Sequence, residues 1–421
     1  MTKLEDDVRT WLDENWDESI TVREWWRRLA ESGYANPTWP TGLGGLGLDT
    51  RAAREVSEVL AEREVIGAPK GNGPNMGANT VLEHGTPEQH RQWVWPLATG
   101  EHAWCQLFSE PGAGSDLAGL QCKAIRDGDE FVVTGQKVWN SSANISELGM
   151  LLARTDPDVP KHSGLSWIMI DMEQPGILVR PLRQMNGDAE FCEVFLDEAR
   201  AKVADTIGAI NDGWKVARTT LAYERSAAAS GTSRKIVQVN AGKLGGNLDR
   251  IVGDVVAEAK QRRTKRRGGD FVNSARTLIG LAQEAGVNTD PVLRDRLARY
   301  YIQSEVYRLT NLRSRTPALR AHTATFASIA KLGLGGLART SRDLGMSIVG
   351  ANGLVVGPDA PGPGGGRAQF AALSAQGVSI GGGTDEIQRN VLGERSLGLP
   401  REPSVDTDVP FKDLRVGTQR G

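Results

Sequence analysis

The sequence predicts an α+β, mainly α multidomain chain: an N-terminal helical domain, a middle antiparallel β-barrel or sandwich, and a C-terminal helical bundle. Three observations carry this. The apolar period is helical over 1–103, gives way to short β-branched and aromatic runs over 104–203, and returns to helical spacing over 204–400. All 11 tryptophans lie at or before Trp214, which sets the first half apart from a later part rich in Leu, Ala and Arg. At 421 residues the chain exceeds the size at which a single core stops growing, so about two to three domains are expected. The polar stretch 401–421 is expected to be a loose tail.

The composition is that of an ordinary globular protein, 39% hydrophobic and 24% charged, with 50 Lys+Arg against 52 Asp+Glu. A net charge of −2 offers no strong field to nucleic acid or to an anionic membrane. The acidic start, Met1 to Asp7, runs into an amphipathic segment, with no signal peptide visible. No apolar run approaches the roughly 20 residues of a bilayer span. A cytoplasmic protein is expected. Cys105, Cys122 and Cys192 are odd in number and lack metal-ligand spacing, so they read as reduced thiols. With five scattered histidines, no metal centre is expected.

Taken in order, Val8, Trp11 and Leu12, then Trp25, Trp26 and Leu29, predict helices over 4–16 and 21–32. Gly33, Pro37 and Pro40 end them, and the glycine-rich 42–47 reads as a structural loop, with a phosphate cradle as the weaker alternative. A third helix covers 50–63. The small residues of 68–84, among them Gly71, Gly73, Gly77 and Ala78, suit either a helix-packing seam or an apolar channel. Pro87 opens another helix after Thr86. Strands are predicted at 148–153, 165–172, 176–179 and 190–196, separated by turn residues such as Asp156-Pro157. About 100 residues of this kind fit one small barrel or sandwich. After Asn211-Asp-Gly213, Trp214, Ala217, Leu221 and Glu224 share one face of a long helix. Further helices are predicted over 290–314 and 318–344. The basic run Lys260 to Arg267 reads as a solvated loop, with an anion contact as the sharper alternative. The Pro/Gly-rich 357–366 is a flexible or partner-facing loop. Thr384 caps a final helix that carries Asp385 and Glu386 in its first turn.

Three segments stand out. In Ser109-Glu-Pro-Gly-Ala-Gly-Ser-Asp116 the residues Pro111, Gly112 and Gly114 leave backbone amides little shielded, while Ser109, Ser115 and Asp116 add short polar side chains. Taken alone, such a loop is equally well a plain β-turn. The β-rich run that follows is broken by Gly135 and ends in Gly135-Gln-Lys-Val-Trp-Asn-Ser141. The last is Gly381-Gly-Gly-Thr-Asp-Glu-Ile-Gln-Arg389. In this order and at these separations they resemble the acyl-CoA dehydrogenase family, over roughly 49–400. The first two are similar to flavin-and-substrate stretches of its middle β domain, and the third to its closing flavin segment. Ser347-Ile-Val-Gly-Ala-Asn-Gly353 is similar to its inter-subunit flavin loop, with Ser347 and Ala351 replacing the more usual Gln and Gly. The region 231–288 departs from the family, the basic run standing where an Arg…Phe-Gly turn is usual.

The resemblance implies a homodimeric or homotetrameric FAD enzyme that passes electrons to an electron-transfer flavoprotein or similar acceptor. It implies that Gln106, Phe108, Ser109, Gly114, Ser115, Trp139 and Ser141 meet the flavin, together with Ser347, Gly350, Ala351, Thr384 and Glu386. It places Ser115, Tyr223, Arg225 and Gly383 at the acyl-CoA substrate, and the backbone amide of Gly382 at the thioester carbonyl. The implied reaction needs a carboxylate base to remove the α-proton. The position that commonly supplies it is Gly382 in this chain, which has no side chain. Some members instead place a Glu directly before an Arg, and Glu224-Arg225 match that pair. The apolar helix face independently favours a desolvated Glu224. The bland alternative is a structural Glu paired to Arg218 or Arg225. Two competing functions share the fold: a flavin oxidase or monooxygenase, and a non-catalytic subunit of a heteromeric dehydrogenase.

Overall fold

The structure, a computed structural model, describes every residue except 1, 230–235, 266–273, 315, 317, 320–322, 358–359, 361, 402, 404–405 and 415–421. The chain divides into two compact units, one built from Met1–Arg183, Ala189–Gln261 and Ser404–Gly421, the other from Gln184–Asp188 and Arg262–Pro403.

The first unit opens with capped helices. Thr2 and Glu5 form a capping box at the start of α1 (Lys3–Asn15), Thr21 caps α2 (Val22–Glu31), and Asp49 caps α3 (Thr50–Glu62). The adjacent Trp25 and Trp26 are both fully buried, and their indole N–H groups donate to the successive carbonyls of Ile66 and Gly67 at 2.7 and 2.8 Å. Two large apolar rings thus enter the core without leaving a donor unpaired. The segment of small residues folds as a π-helical turn at Gly73–Gly77 running into α4 (Ala78–His84). A Cβ on Gly77 would sit 2.6 Å from Met150 Sδ and 2.7 Å from the Trp104 ring, so the turn packs tightly against the sheet. Short helical turns α5 (Pro87–Gln89) and α6 (Trp95–Ala98) complete the helical part.

Eight strands follow: β1 (Trp104–Leu107), β2 (Lys123–Asp127), β3 (Glu130–Ser141), β4 (Leu148–Arg154), β5 (Leu165–Asp171), β6 (Ile177–Leu182), β7 (Phe191–Lys202) and β8 (Thr206–Ile207). Their order is β6-β7-β3-β2-β4-β5-β8, with β1 also on β4. Two expectations are corrected here. The sheet ends at β6 and β8 and does not close into a barrel, and it is mixed, because β1 and β2 both run parallel to β4. The reason lies in β4, which is buried along its whole length. A strand covered on both faces reads as a continuous apolar run and gives no period from which strand direction can be inferred. Met150 and Leu152 with Trp167 and Met169 face the core shared with the helices. Leu151 and Ala153 with Ile168 and Ile170 face a second core inside the β region.

After the sheet come α7 (Gly213–Ala229) and α8 (Val252–Lys265). The first is fastened to α4 by hydroxyls: Thr80 donates to Thr220 at 3.0 Å, and His84 meets Thr219 at 2.8 Å. The expectation of a loose tail is corrected over 406–414 alone. Residues 406–414 dock on the β4–β5 hairpin, with Phe411 N donating to Val159 O at 2.9 Å and its ring lying 3.7 Å beneath the Arg154 guanidinium. Lys161, nearly buried, joins Asp406 to Asp116 at 2.6 and 3.0 Å. A polar composition hid a docked segment because the contacts are ionic, cation–π and backbone in kind.

The second unit holds α9 (Ala275–Glu284), α10 (Pro291–Arg313), α11 (Thr323–Val349), α12 (Arg367–Ile380) and α13 (Asp385–Val391) around Leu278, Leu281, Tyr300, Leu337 and Leu344. α11 ends five residues later than its sequence pattern suggests, so Ser347 lies in a helix and not in a loop. In the Pro/Gly-rich segment the Gly364 amide donates to Glu284 at 2.9 Å. Of the basic run, expected as a solvated loop, Lys260 to Lys265 instead end α8, with Lys260 paired to Glu64 at 3.6 Å, and Arg266 and Arg267 lie outside the described residues. Among the described residues no helix is long and apolar enough to cross a membrane, and no His/Cys/Asp/Glu group could hold a metal.

Gly135 marks where β2 and β3 press together: a Cβ there would lie 2.7 Å from Cys122 Cα. Gly135→Ala should therefore destabilise the first unit by about 1–3 kcal/mol, as overpacking does, read as a lower urea midpoint at unchanged slope.

Candidate active site

The motif loop is held by a buried ion pair that sequence reading did not single out. Lys137 is fully buried, and its ammonium donates to Glu110 Oε1 at 2.9 Å, Leu152 O at 2.8 Å and Phe108 O at 3.0 Å. Glu110 in turn accepts from the amides of Gln121 at 2.7 Å and Cys122 at 2.9 Å. Three donors on the cation and the carboxylate's acceptors are thereby met, the condition under which a buried pair is tolerated. Glu110 and Ala113 exchange both backbone hydrogen bonds, closing a tight turn that leaves Gly114 and Ser115 exposed. Val138 N donates to Ser109 O at 2.9 Å, so the loop lies along the end of β3.

Pairing of β3 with β7 is irregular between Lys137 and Asn140, and there Trp139 takes a φ of +63°. A large side chain in left-handed backbone is strained. Its indole is 60% exposed, braced by the edge of Phe191 at 5.9 Å. A strained, wet tryptophan is a poor structural element and a good platform for a flat ring. The next residue turns inward: buried Asn140 donates to Gln106 O at 2.6 Å, and its Oδ1 has no partner among the described residues.

Gln106 then reaches α7, its Nε2 donating to Glu224 Oε2 at 3.3 Å. Trp214, Ala217 and Leu221 pack into the helix-side core as their spacing predicts, and half-buried Glu224 follows on the same face. Burial pushes the Glu224 carboxyl up from the ordinary range, while the Gln106 bond and the Arg225 charge pull it down. Arg225 is the next residue and half-buried, and the pairing with Arg218 does not form among the described residues. Tyr223 is half-buried against the same core, which raises its phenol above the usual value. Ser141 lines a cavity of about 60 Å³ with Lys70, Asn72, Trp104, Ser142 and Asn240.

In the second unit, Gly382 and Gly383 have φ of +66° and +88°. Gln388 Nε2 donates back to Gly382 O at 3.0 Å, and Thr384 caps α13 by accepting from Ile387 N at 3.2 Å. Buried Asp385 binds Arg339 at 2.8 Å and anchors the glycine turn. Glu386 is exposed and pairs with Arg389 at 3.3 Å. Ser347 is engaged within its unit, accepting from Arg296 at 2.9 Å and donating to Asp343 O at 2.7 Å. Gly350 takes a φ of +55° at the start of a 3₁₀ turn, and Ala351 is exposed beside it. Glu110, Lys137 and Asn140 are the residues sequence reading missed. The one available signal was a lysine among apolar strand residues, which demands an acidic partner without saying where.

A helical lead-in, a mixed sheet carrying a glycine turn and an exposed strained Trp, and a helical bundle define a class. Residues 2–101 match the acyl-CoA dehydrogenase N-terminal domain, 105–199 its middle domain and 273–397 its C-terminal domain. The chain belongs to the acyl-CoA dehydrogenase family of flavoprotein oxidoreductases, and relatives across its length carry that enzyme's name. It is 37% identical over 388 residues to acyl-CoA dehydrogenase FadE34 of Mycobacterium tuberculosis, covering 89% of this chain but 46% of that protein. It therefore spans just under half of that relative's length. It is 33% identical to acyl-CoA dehydrogenase IpdE1 of the same organism, covering 90% of this chain and 88% of that one. Among solved structures, the Tcur3481-Tcur3483 steroid ACAD superposes with a TM-score of 0.68 at 25% identity, over 95% of this chain and 97% of that one.

Removing the cation alone should be severe. Lys137→Met leaves Glu110 buried and uncompensated, an expected loss of about 3–5 kcal/mol. Adding Glu110→Met should recover only part of it in chemical unfolding, because the amides of Gln121 and Cys122 then lose their acceptor.

Proposed function

We propose that the protein is an FAD-dependent dehydrogenase of acyl-CoA thioesters with Glu224 as the base that takes the α-proton. The observation that carries this is a carboxylate on the core-facing side of α7, desolvated and hydrogen-bonded by the neutral amide of Gln106, with burial outweighing the Arg225 charge beside it. Such a group is a stronger base than a solvated one. The backbone at Gly382 supports the same reading, since a carboxylate side chain at φ +66° would be strained. The residues fit the flavin: Trp139 offers its exposed ring, and Phe108, Ser109, Gly114, Ser115 and Ser141 stand around the same turn and strand end. Ser347, Gly350, Ala351, Thr384 and Glu386 would complete a flavin site, in this subunit or a neighbour. When bound, FAD supplies the acceptor for the β-hydride. Glu224 would remove the α-proton, with Arg225 and Tyr223 holding the CoA ester beside it, and the family resemblance assigns the Gly382 amide to the thioester carbonyl.

The steroid ACAD relationship favours a bulky acyl group over a plain fatty chain. Exposed Ile302, Val306, Leu309 and Leu312 on α10 support assembly into a homodimer or homotetramer. An electron-transfer flavoprotein or similar acceptor would reoxidise the enzyme.

Purified protein should be yellow and release FAD, not FMN, on acid treatment; a colourless protein that cannot be reconstituted with FAD would overturn the reading. Glu224→Gln should keep the flavin and slow its anaerobic reduction by acyl-CoA by at least about a hundredfold. A parent rate in that variant would exclude Glu224 as the base.

The pH dependence follows from the raised carboxyl. The base works ionised, so kcat/KM should fall with decreasing pH through a value above the ordinary glutamate range of about 4.3. A raised acid pKa means that the folded state favours the protonated form. Its ionisation therefore works against folding above that pKa, and Glu224→Gln should raise Tm at pH 8 while changing it little in acid.

A further inference from the structure

We propose that Gln106 is a positioning residue for the base, tethering one oxygen of Glu224 so that the other faces the substrate. This rests on Glu224 being the base. Gln106 is the third residue of β1, paired with Met150 of β4, and its carbonyl is gripped by buried Asn140 at 2.6 Å. Its side-chain amide donates to Glu224 Oε2 at 3.3 Å and, among the described residues, is the one side chain hydrogen-bonded to that carboxylate. The tether thus runs from the end of β3, through Asn140 and the rigid interior of the sheet, to the helix. A carboxylate at the end of two flexible methylene groups otherwise samples several rotamers. One fixed oxygen selects among them without adding a charge.

The choice of an amide matters chemically. An N–H donor stabilises the ionised acceptor modestly, and it leaves a base that burial has strengthened still able to take a proton. A Lys or Arg at this place would hold the same oxygen and suppress its basicity. Among the described residues, the elements packed against α7 add no other titratable group that faces the carboxylate. The turn Gly73–Gly77 contains no titratable residue, and β1 adds only Cys105, which enters the opposite core. Glu83 and His84 of α4 engage Thr219, more than a turn earlier. β5 carries Asp171 alone, exposed at its far end. On α7 itself Arg225 acts on the carboxylate, and Tyr223 and exposed Arg218 are the other titratable neighbours.

The test uses the FAD-loaded protein with Gln106→Met, which keeps the length and loses the donor, and Gln106→Glu, which keeps the shape and adds a second carboxylate. Two readouts are taken: the pH profile of anaerobic flavin reduction by acyl-CoA, and a pH titration of the protonated-carboxyl infrared band of the substrate-free enzyme. That band is assigned to Glu224 by its loss in Glu224→Gln. Gln106→Met should move the acid limb and the infrared midpoint upward together, by about one pH unit, both read on the flavin-loaded fraction. Gln106→Glu should move both further, because two carboxylates then share one site. A purely packing role for Gln106 would leave both midpoints where they are, and that result overturns the proposal even if the rate falls. Should Gln106→Met fail to fold, Gln106→Glu decides by the same titration. The two levels stay separable: a parent rate in Glu224→Gln defeats the base reading, whereas an inert Glu224→Gln beside unmoved midpoints in the Gln106 variants defeats the tether alone.

Discussion

The first unit's functional geometry depends on the pair of Lys137 and Glu110, a cation and a carboxylate placed where water cannot reach them. Such a pair is tolerable only if nearly every lone pair and proton is met, and here three acceptors meet the ammonium while two backbone amides meet the carboxylate. That requirement fixes where the turn after Ser109 crosses β3. It also fixes the irregularity two residues on, where Trp139 turns outward and Asn140 turns inward. From Asn140 the connection continues to Gln106 and from there to Glu224. A loop of glycines would otherwise have no preferred place.

The second unit repeats the device with different residues. Its glycine turn at 381–383 is followed by Asp385, buried and bound to Arg339, while Gln388 reaches back to the Gly382 carbonyl. In both units a permissive backbone is pinned by a buried carboxylate within a few residues. The chain thereby keeps exposed amides at each turn and loses little of their positional precision.

The helix α7, which carries Glu224, is attached in another manner. Paired hydroxyls and a histidine join α7 to α4, and the His162 ring meets Trp214 edge-on at 4.9 Å. These contacts bury little charge, which leaves Glu224 as the one acidic side chain on the core-facing side of that helix. Its basicity is then set by desolvation, as the apolar spacing of Trp214, Ala217 and Leu221 already implied.

The order of elements and the identity of the fold were legible because periodicity, caps and glycine turns are local properties. Helices near 4–16, 21–32 and 50–63 and the cap at Thr384 could be read from the chain itself, as could the core-facing row that ends in Glu224. Strand direction was not legible, since β4 is apolar on both faces and carries no alternation to read. The docked tail was not legible either, because its polar residues bind through charge and backbone. The partners of the site lay furthest beyond reach: Lys137 meets a carboxylate 27 residues away and Gln106 one 118 residues away. A sequence states which residue types are present and how they repeat along the chain. Which buried donor meets which acceptor is decided only when the strands are laid side by side, because hydrogen bonds are formed between neighbours in space.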